Sequence, residues 1–210
     1  MLFRSRLIDE LENRGVLKHT WVIVTSDHGE SFGEHSDIFC HGTSLYQTEL
    51  HVPLLVIPPG GAATKRVVKE TVSLRDVAAT IVDMTGQEGA SPFPGESLAR
   101  YWDAPSPAGP IQHAAADPAL AELALPNVEP SRDSSLFPKS SWPQGGLLEG
   151  EWSYIRQEGV FREELFHLSE DANEQHNLAG NPTAEPTLTR MRETLGRITG
   201  GPLVPTRFSP

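Results

Sequence analysis

The residues best suited to chemistry follow an apolar stretch near the start of the chain, in Thr25-Ser-Asp-His-Gly-Glu30. Asp27 supplies a carboxylate and His28 an imidazole, two ligand types that suit a divalent cation. Adjacent strand residues point to opposite faces, so both side chains reach one ion only if the chain bends, and Gly29 permits a bend. Metal sites normally recruit three or more ligands. Further ligands must therefore come from elsewhere.

The same short motif has a simpler explanation. Asp27 could cap the segment that follows it in a turn, and His28 could be an ordinary surface histidine. A motif of this length does not by itself decide between a metal-ligand pair and a turn.

The elements around this motif predict an α/β arrangement. Residues 4–14 repeat apolar side chains at helical spacing, which predicts a helix. The run 20–25 is apolar and β-branched, as is typical of a strand in a parallel sheet covered on both faces, and it ends where the two candidate ligands begin. After a polar loop and a short helical stretch at 43–50, the apolar run 52–57 predicts a second, neighbouring strand.

The rest of the chain predicts one more core helix and a smaller carboxyl-terminal unit. A helix should begin at Ser73, with an apolar face formed by Leu74, Val77, Ile81 and Met84. The proline-rich stretch 91–150 reads as loops around short elements. Residues 151–168 predict an antiparallel hairpin, and 185–198 predict an amphipathic helix before a proline-rich tail.

Composition excludes several functional classes. The 210 residues carry 17 Lys and Arg against 28 Asp and Glu, a net charge of −11, and no basic run suited to a phosphate backbone. We therefore expect no nucleic-acid partner. No apolar stretch approaches the ~20 residues of a membrane span. The lone cysteine, Cys40, excludes an intrachain disulfide and does not indicate a compartment.

Three longer motifs carry a resemblance to a known family. They are Thr25-Ser-Asp-His-Gly-Glu-Ser-Phe-Gly-Glu-His35, His41-Gly-Thr-Ser-Leu-Tyr46 and His51-Val-Pro-Leu-Leu55. Together they resemble the sulfatase family of the alkaline phosphatase superfamily. The resemblance continues at 72–81 and 95–98, and it resumes at 151–155, 164–168 and 171–177. Residues 100–146 have no recognisable match.

The resemblance implies the fold and its division. We expect part of an alkaline-phosphatase-like α/β sheet with helices on its faces, followed by a small antiparallel sheet and a helix. Residues 1–100 would belong to the sulfatase core, 101–150 would form a loop-rich connection, and 151–210 would form a carboxyl-terminal subdomain.

The resemblance also implies roles for three residues. Asp27 and His28 match the family pair that binds a divalent metal together with two acidic residues nearer the amino terminus. The family favours calcium, with manganese, magnesium or zinc as alternatives. His41 matches a position, often Lys, that contacts the sulfate or its leaving oxygen. A histidine there can donate a hydrogen bond to an oxyanion or protonate a leaving alkoxide.

Other polar residues near these motifs have ordinary explanations. His35 and His51 are expected to be loop or packing histidines. Glu30 and Glu34 would either support the site residues or solvate their loop. The aromatic residues of the hairpin are expected to pack in the core.

One family motif has no counterpart in the sequence. The sulfatase nucleophile, a Cys or Ser converted to formylglycine, lies in a Cys/Ser-x-Pro-x-Arg motif that precedes the metal pair. We therefore expect the carboxyl-terminal part of a sulfate-ester hydrolase, inactive alone, whose amino-terminal half supplies the nucleophile and could have carried a signal peptide. The alternatives are a fragment of a phosphonate or phosphodiester hydrolase, for which the same residues would serve, or a noncatalytic remnant.

Overall fold

The computed structural model describes most of the predicted elements. It covers residues 2–35, 39–61, 65–86, 91–102, 118–124, 143–158 and 162–201. Most of the connection predicted at 101–150, part of the hairpin turn and the proline-rich tail lie outside the described residues. None of the described helices is long and apolar enough to cross a bilayer.

The amino-terminal elements follow the predicted order. Helix α1 spans Leu2–Asn13, a short 3-10 turn spans Val16–His19, and strand β1 spans Val22–Thr25. Gly15 separates helix from turn with φ of 70°, a left-handed conformation that glycine adopts without the steric penalty of a side chain. The predicted helix and strand are confirmed.

Strand β2, Leu54–Ile57, is the predicted neighbour of β1, but the two strands run antiparallel. The predicted pairing is confirmed, but its direction differs from the parallel sheet of which the apolar run 20–25 is typical. Thr25 at the end of β1 lies opposite Leu54 at the start of β2, so the connection leaves and re-enters the sheet at one edge. In the described part of that connection, the short helix α2, Gln47–Leu50, is the one regular element. In a parallel pair the connection would have to cross back to the opposite end of the sheet before β2 begins.

Helix α3, Arg75–Met84, forms where predicted, but it buries a different face. Ala79 and Thr80 are buried, whereas Ile81 is exposed. Thr80 is accommodated because its hydroxyl donates to the Asp76 carbonyl at 2.6 Å and accepts from the Leu98 amide at 2.9 Å. The helix therefore packs through small residues against a 3-10 turn that follows it, Leu98–Tyr101.

The carboxyl-terminal unit is a four-stranded antiparallel sheet. Its strands follow one another in chain order, β3 (Ala119–Leu123), β4 (Gln144–Glu149), β5 (Trp152–Gln157) and β6 (Arg162–His167). The predicted hairpin is the β5–β6 pair. Strands β3 and β4 are short elements within the stretch that was predicted to be mostly loop.

This sheet buries both faces, because successive strand residues point in opposite directions. Tyr154 and Leu165 face helix α4, Glu185–Thr199, and form a core with its buried residues Leu188, Met191 and Leu195. Ile155 and Phe166, one position further along each strand, pack on the other face against Leu45. The β5–β6 hairpin thus packs against α4 on one face and against the connection between β1 and β2 on the other.

A partly buried ion pair ties α4 to this sheet. Glu163 accepts from Nε and Nη2 of Arg192 at 2.8 and 2.7 Å and from the Tyr154 hydroxyl at 2.6 Å. These bonds, led by the one from Arg192, hold the pKa of Glu163 below its ordinary value. A carboxylate with a lowered folded-state pKa stabilises the fold above its unfolded pKa, and this stabilisation is lost as the pH falls through the folded value.

We expect Glu163→Gln to lower the free energy of unfolding at neutral pH by about 1–2 kcal/mol, the range for a charge-assisted bond in a half-exposed pair. The wild type should lose more stability than this variant on acidification from about pH 5 to about pH 3. Urea unfolding across this range would test both points. Glu10→Gln, in an exposed ion pair with Arg14, is the control and should change little. Parallel pH profiles for wild type and Glu163→Gln would contradict the prediction.

Candidate functional site

The turn after β1 is held by bonds among its own residues. The Ser26 hydroxyl donates to the His28 carbonyl at 2.8 Å, and the His28 amide donates to Oδ1 of Asp27 at 3.0 Å. Nδ1 of His28 lies 2.8 Å from the Gly29 carbonyl. Since a carbonyl oxygen only accepts, Nδ1 carries a proton. Nε2 of His28 can then accept a bond or coordinate a cation.

The structure brings the three predicted site residues to one cavity. The rings of His28 and His41 stack with centroids 4.1 Å apart and planes 23° apart. Asp27, His28 and His41 all line a cavity of about 830 Å³. The bend at 27–29 and the return of the loop at 41 therefore place side chains that are distant in sequence beside one another.

Gly29 is required by a close backbone approach as well as by the bend. A Cβ built at this position would lie 2.0 Å from the carbonyl oxygen of Thr48. The Gly29 amide donates to the Glu49 carbonyl at 2.7 Å. The absence of a side chain thus allows the turn to pack directly on α2.

Glu30 fixes the orientation of His41. Its Oε2 lies 3.0 Å from Nδ1 of His41. A carboxylate only accepts, so Nδ1 of His41 carries the proton and the tautomer is set. Of the two roles considered for Glu30, the structure therefore favours support of a site residue. Glu34 instead accepts from the Phe32 amide within its own loop.

Local electrostatics favour an anion at Asp27. Backbone hydrogen bonds lower its pKa, and the nearby His28 adds a smaller effect in the same direction. The bond to the Gly29 carbonyl raises the pKa of His28. Both side chains are open to solvent, Asp27 with 85% of its side chain exposed and His28 with 44%.

Asp27 and His28 fit a divalent cation in chemical type but not in number. Nε2 of His28 lies 3.7 Å from Oδ2 of Asp27, so the two donor atoms are neighbours. Within the described ranges, no group of three or more His, Cys, Asp or Glu residues could hold a metal ion. A stable metal site would need further donors besides these two.

His35 and His51, the other histidines near the motifs, have different surroundings from each other. The ring of His35 stacks on Tyr46 with centroids 3.6 Å apart, and burial lowers the pKa of His35. It is the packing histidine that was expected. His51 is exposed and lines the same cavity as the site residues.

The carboxyl-terminal sheet supports the site loop through two buried carboxylates. The Tyr46 hydroxyl donates to Glu164 at 2.9 Å. Glu174 accepts from the Gln47 amide at 2.7 Å, at the start of α2, and from the Ser153 hydroxyl at 2.7 Å. Burial raises the pKa of Glu174. The connection that carries His41 is therefore anchored to β5, β6 and the turn that follows them.

Sequence reasoning missed Glu49, a buried carboxylate that lines the same cavity as the site residues. Its exposed fraction is 4%, and it accepts from amides and hydroxyls of residues 31 and 42–44. The available signal was an acidic residue between an aromatic position and the apolar run of β2, next to the resembling motifs.

Comparison with known proteins shows which family the chain resembles. Residues 4–87 match the family model of the sulfatases. Arylsulfatase K of Bos taurus is 32% identical over 179 residues, covering 83% of this chain and 30% of the relative. The chain thus spans about 30% of the length of that curated relative.

Two solved structures share the fold. A protein solved in complex with its substrate D-glucosamine-2-N,6-O-disulfate aligns with a TM-score of 0.68 at 20% identity, over 93% of this chain and 37% of that one. A phosphonate monoester hydrolase from Silicibacter pomeroyi aligns with a TM-score of 0.70 at 23% identity, over 93% and 37%. The predicted alkaline-phosphatase-like fold, present in part, is thereby confirmed. From its motifs, its fold and these matches, the chain is a member of the sulfatase family.

Proposed function

We propose that this chain carries part of the active site of a metal-dependent hydrolase of sulfate esters. Asp27 and His28 bind a divalent cation, and His41 acts on the sulfate or its leaving oxygen. The observation that carries the proposal is the convergence of the three side chains on one cavity, with His28 stacked on His41 at 4.1 Å.

In this proposal each residue has a distinct task. A bound cation supplies positive charge beside the anionic sulfate oxygens. Asp27, held as a carboxylate, and Nε2 of His28 are its ligands from this chain. Glu30 orients the ring of His41, so that Nε2 of the protonated ring can donate to an oxygen that gains negative charge as the ester bond breaks.

The remaining groups of the site are proposed to come from outside these 210 residues. No Cys/Ser-x-Pro-x-Arg motif occurs before Asp27-His28. Without a nucleophile no covalent intermediate can form, and without further oxygen donors the cation is held weakly. We therefore propose that the chain alone does not turn over sulfate esters. Calcium is the proposed metal, from the family resemblance.

A second candidate belongs to the same superfamily. The similarity in fold to a phosphonate monoester hydrolase supports a phosphonate or phosphodiester substrate, for which Asp27, His28 and His41 would serve equally. Turnover of an aryl sulfate against an aryl phosphodiester by the complete enzyme would distinguish the two substrates. A noncatalytic remnant would hydrolyse neither.

Titration of the isolated chain tests the partial metal site. Calorimetry with calcium and with manganese should give dissociation constants weaker than about 10⁻⁴ M, as expected for a site with few ligands. Asp27→Asn and His28→Ala should each abolish the heat of this weak metal binding, whereas His51→Ala should leave it unchanged. Micromolar binding, together with metal-dependent aryl sulfate turnover that His28→Ala abolishes, would show that the chain needs no further groups.

A further inference from the structure

We infer that Glu49 is a positioning residue that holds His28 and His41 beside each other. Glu49 lies in α2 and is almost completely buried, with 4% of its surface exposed. Carboxylates are rarely buried unless their charge is matched by a cation or by several hydrogen-bond donors. No Lys or Arg in the described part of the chain pairs with it in a salt bridge. Neutral donors therefore hold the carboxylate.

Most of those donors belong to the residues directly after His41. Oε2 of Glu49 accepts from the amides of Gly42 and Thr43 at 2.6 and 3.3 Å. Oε1 accepts from the hydroxyl of Ser44 at 2.5 Å, and also from Ser31 at 3.3 Å and from the Thr43 hydroxyl at 3.5 Å. One side chain thus gathers the 42–44 turn, and the position of His41 follows from that turn.

The main chain of the same residue holds the other histidine. The Glu49 carbonyl accepts from the amide of Gly29, the residue directly after His28, at 2.7 Å. Gly29 also lies so close to α2 that a Cβ there would overlap the Thr48 carbonyl. Glu49 therefore bonds to the neighbour of each histidine, through its backbone on one side and its carboxylate on the other.

Two substitutions at Glu49 distinguish the effect of its side-chain length from the effect of its charge. Glutamine keeps the length of Glu49. Its amide oxygen can accept from the Gly42 and Thr43 amides, while its NH₂ group faces hydroxyls that can rotate to accept. Aspartate keeps the charge but is one methylene shorter, so its oxygens withdraw from the turn. If Glu49 positions the loop through hydrogen bonds, glutamine preserves the histidine pair and aspartate does not.

The consequence for catalysis rests on the proposed function. If His28 binds the metal and His41 contacts the sulfate, then displacing one ring relative to the other weakens the reaction, because displacements on the order of 1 Å at reacting groups already reduce rates strongly. The positioning itself is a property of this chain and can be measured without metal or substrate.

Nuclear Overhauser contacts between the two histidine rings provide the test. In the histidine-labelled chain, assigned with His28→Ala and His41→Ala, a cross-peak between the rings is expected for wild type and Glu49→Gln. It should be lost in Glu49→Asp and Glu49→Ala. Ser44→Ala removes a single donor and should weaken the cross-peak, which gives a second reading if the alanine variant does not fold.

Glu163→Ala is the control for general destabilisation, because it breaks the ion pair with Arg192 in the carboxyl-terminal unit. Its ring cross-peak should match wild type. A wild-type cross-peak in folded Glu49→Asp would overturn the inference, and so would a loss in Glu163→Ala equal to that in Glu49→Asp. Absence of sulfatase activity in the complete enzyme would instead contradict the proposed function and leave this result unaffected.

Discussion

Replacing His41 by alanine in the complete enzyme proposed above is expected to lower kcat for sulfate-ester hydrolysis by about 10²–10⁴-fold, the usual contribution of a positioned acid or base. His41 lines the cavity with Asp27 and His28, and Glu30 fixes its tautomer through Nδ1. In the proposed mechanism, the variant lacks the donor that would face the developing negative charge. KM should change much less than kcat, because the charge appears only in the transition state.

The choice of substrate separates the two roles considered for His41. If the residue protonates the leaving oxygen, then its loss should affect an alkyl sulfate, with its basic leaving group, far more than 4-nitrophenyl sulfate. If it stabilises charge on the sulfate, then both substrates should slow equally. His51→Ala is the matched control, since His51 lines the same cavity. Unchanged kcat for both substrates in His41→Ala would rule out a catalytic role.

Leu165→Ala is expected to lower the free energy of unfolding by about 2–5 kcal/mol, the range for deleting a fully buried leucine side chain. Leu165 has no exposed surface and lies in the core between β6 and α4, with Tyr154 and Met191. The residues around Leu165 are held by the sheet on one side and the helix on the other, so they can only partly fill the space that the substitution leaves. A loss of this size is a large fraction of the stability of a typical domain.

Urea unfolding followed by tryptophan fluorescence would measure this effect. Leu7→Ala provides the matched control, because it makes the same chemical change at a leucine that is 53% exposed on α1. Alanine also favours helix, so the control should stay within about 0.5 kcal/mol of wild type. Equal losses in the two variants would mean that α4 does not cover the sheet as described.

Several features of this protein could be read from short stretches of its sequence. Periodic side-chain patterns within single strands and helices predicted the β5–β6 hairpin and helices α1 and α4. Asp27 and His28 could be placed at the end of a strand, because an apolar run stops directly before them. The motifs around His28 and His41 also indicated the family, and the family implied the fold. Each of these predictions depends on residues that are neighbours in the sequence.

Other features depend on contacts between distant residues, and local patterns do not encode them. The antiparallel pairing of β1 and β2 follows from where the 26–53 connection returns, and an apolar run has no signal for strand direction. Helix α3 buries Thr80 because the Leu98 amide supplies a partner for its hydroxyl. Bonds from Tyr46 to Glu164 and from Gln47 to Glu174, across 118 and 127 residues, anchor the site loop.

Glu49 shows the physical reason most clearly. In the sequence it is one acidic residue among 28, and an isolated carboxylate belongs in water. Only the folded chain brings the amides and hydroxyls of 42–44 to its oxygens, which makes its burial tolerable. The side chains that can do chemistry were therefore recognisable from their types and order. Their distances, partners and exposure were set by long-range packing.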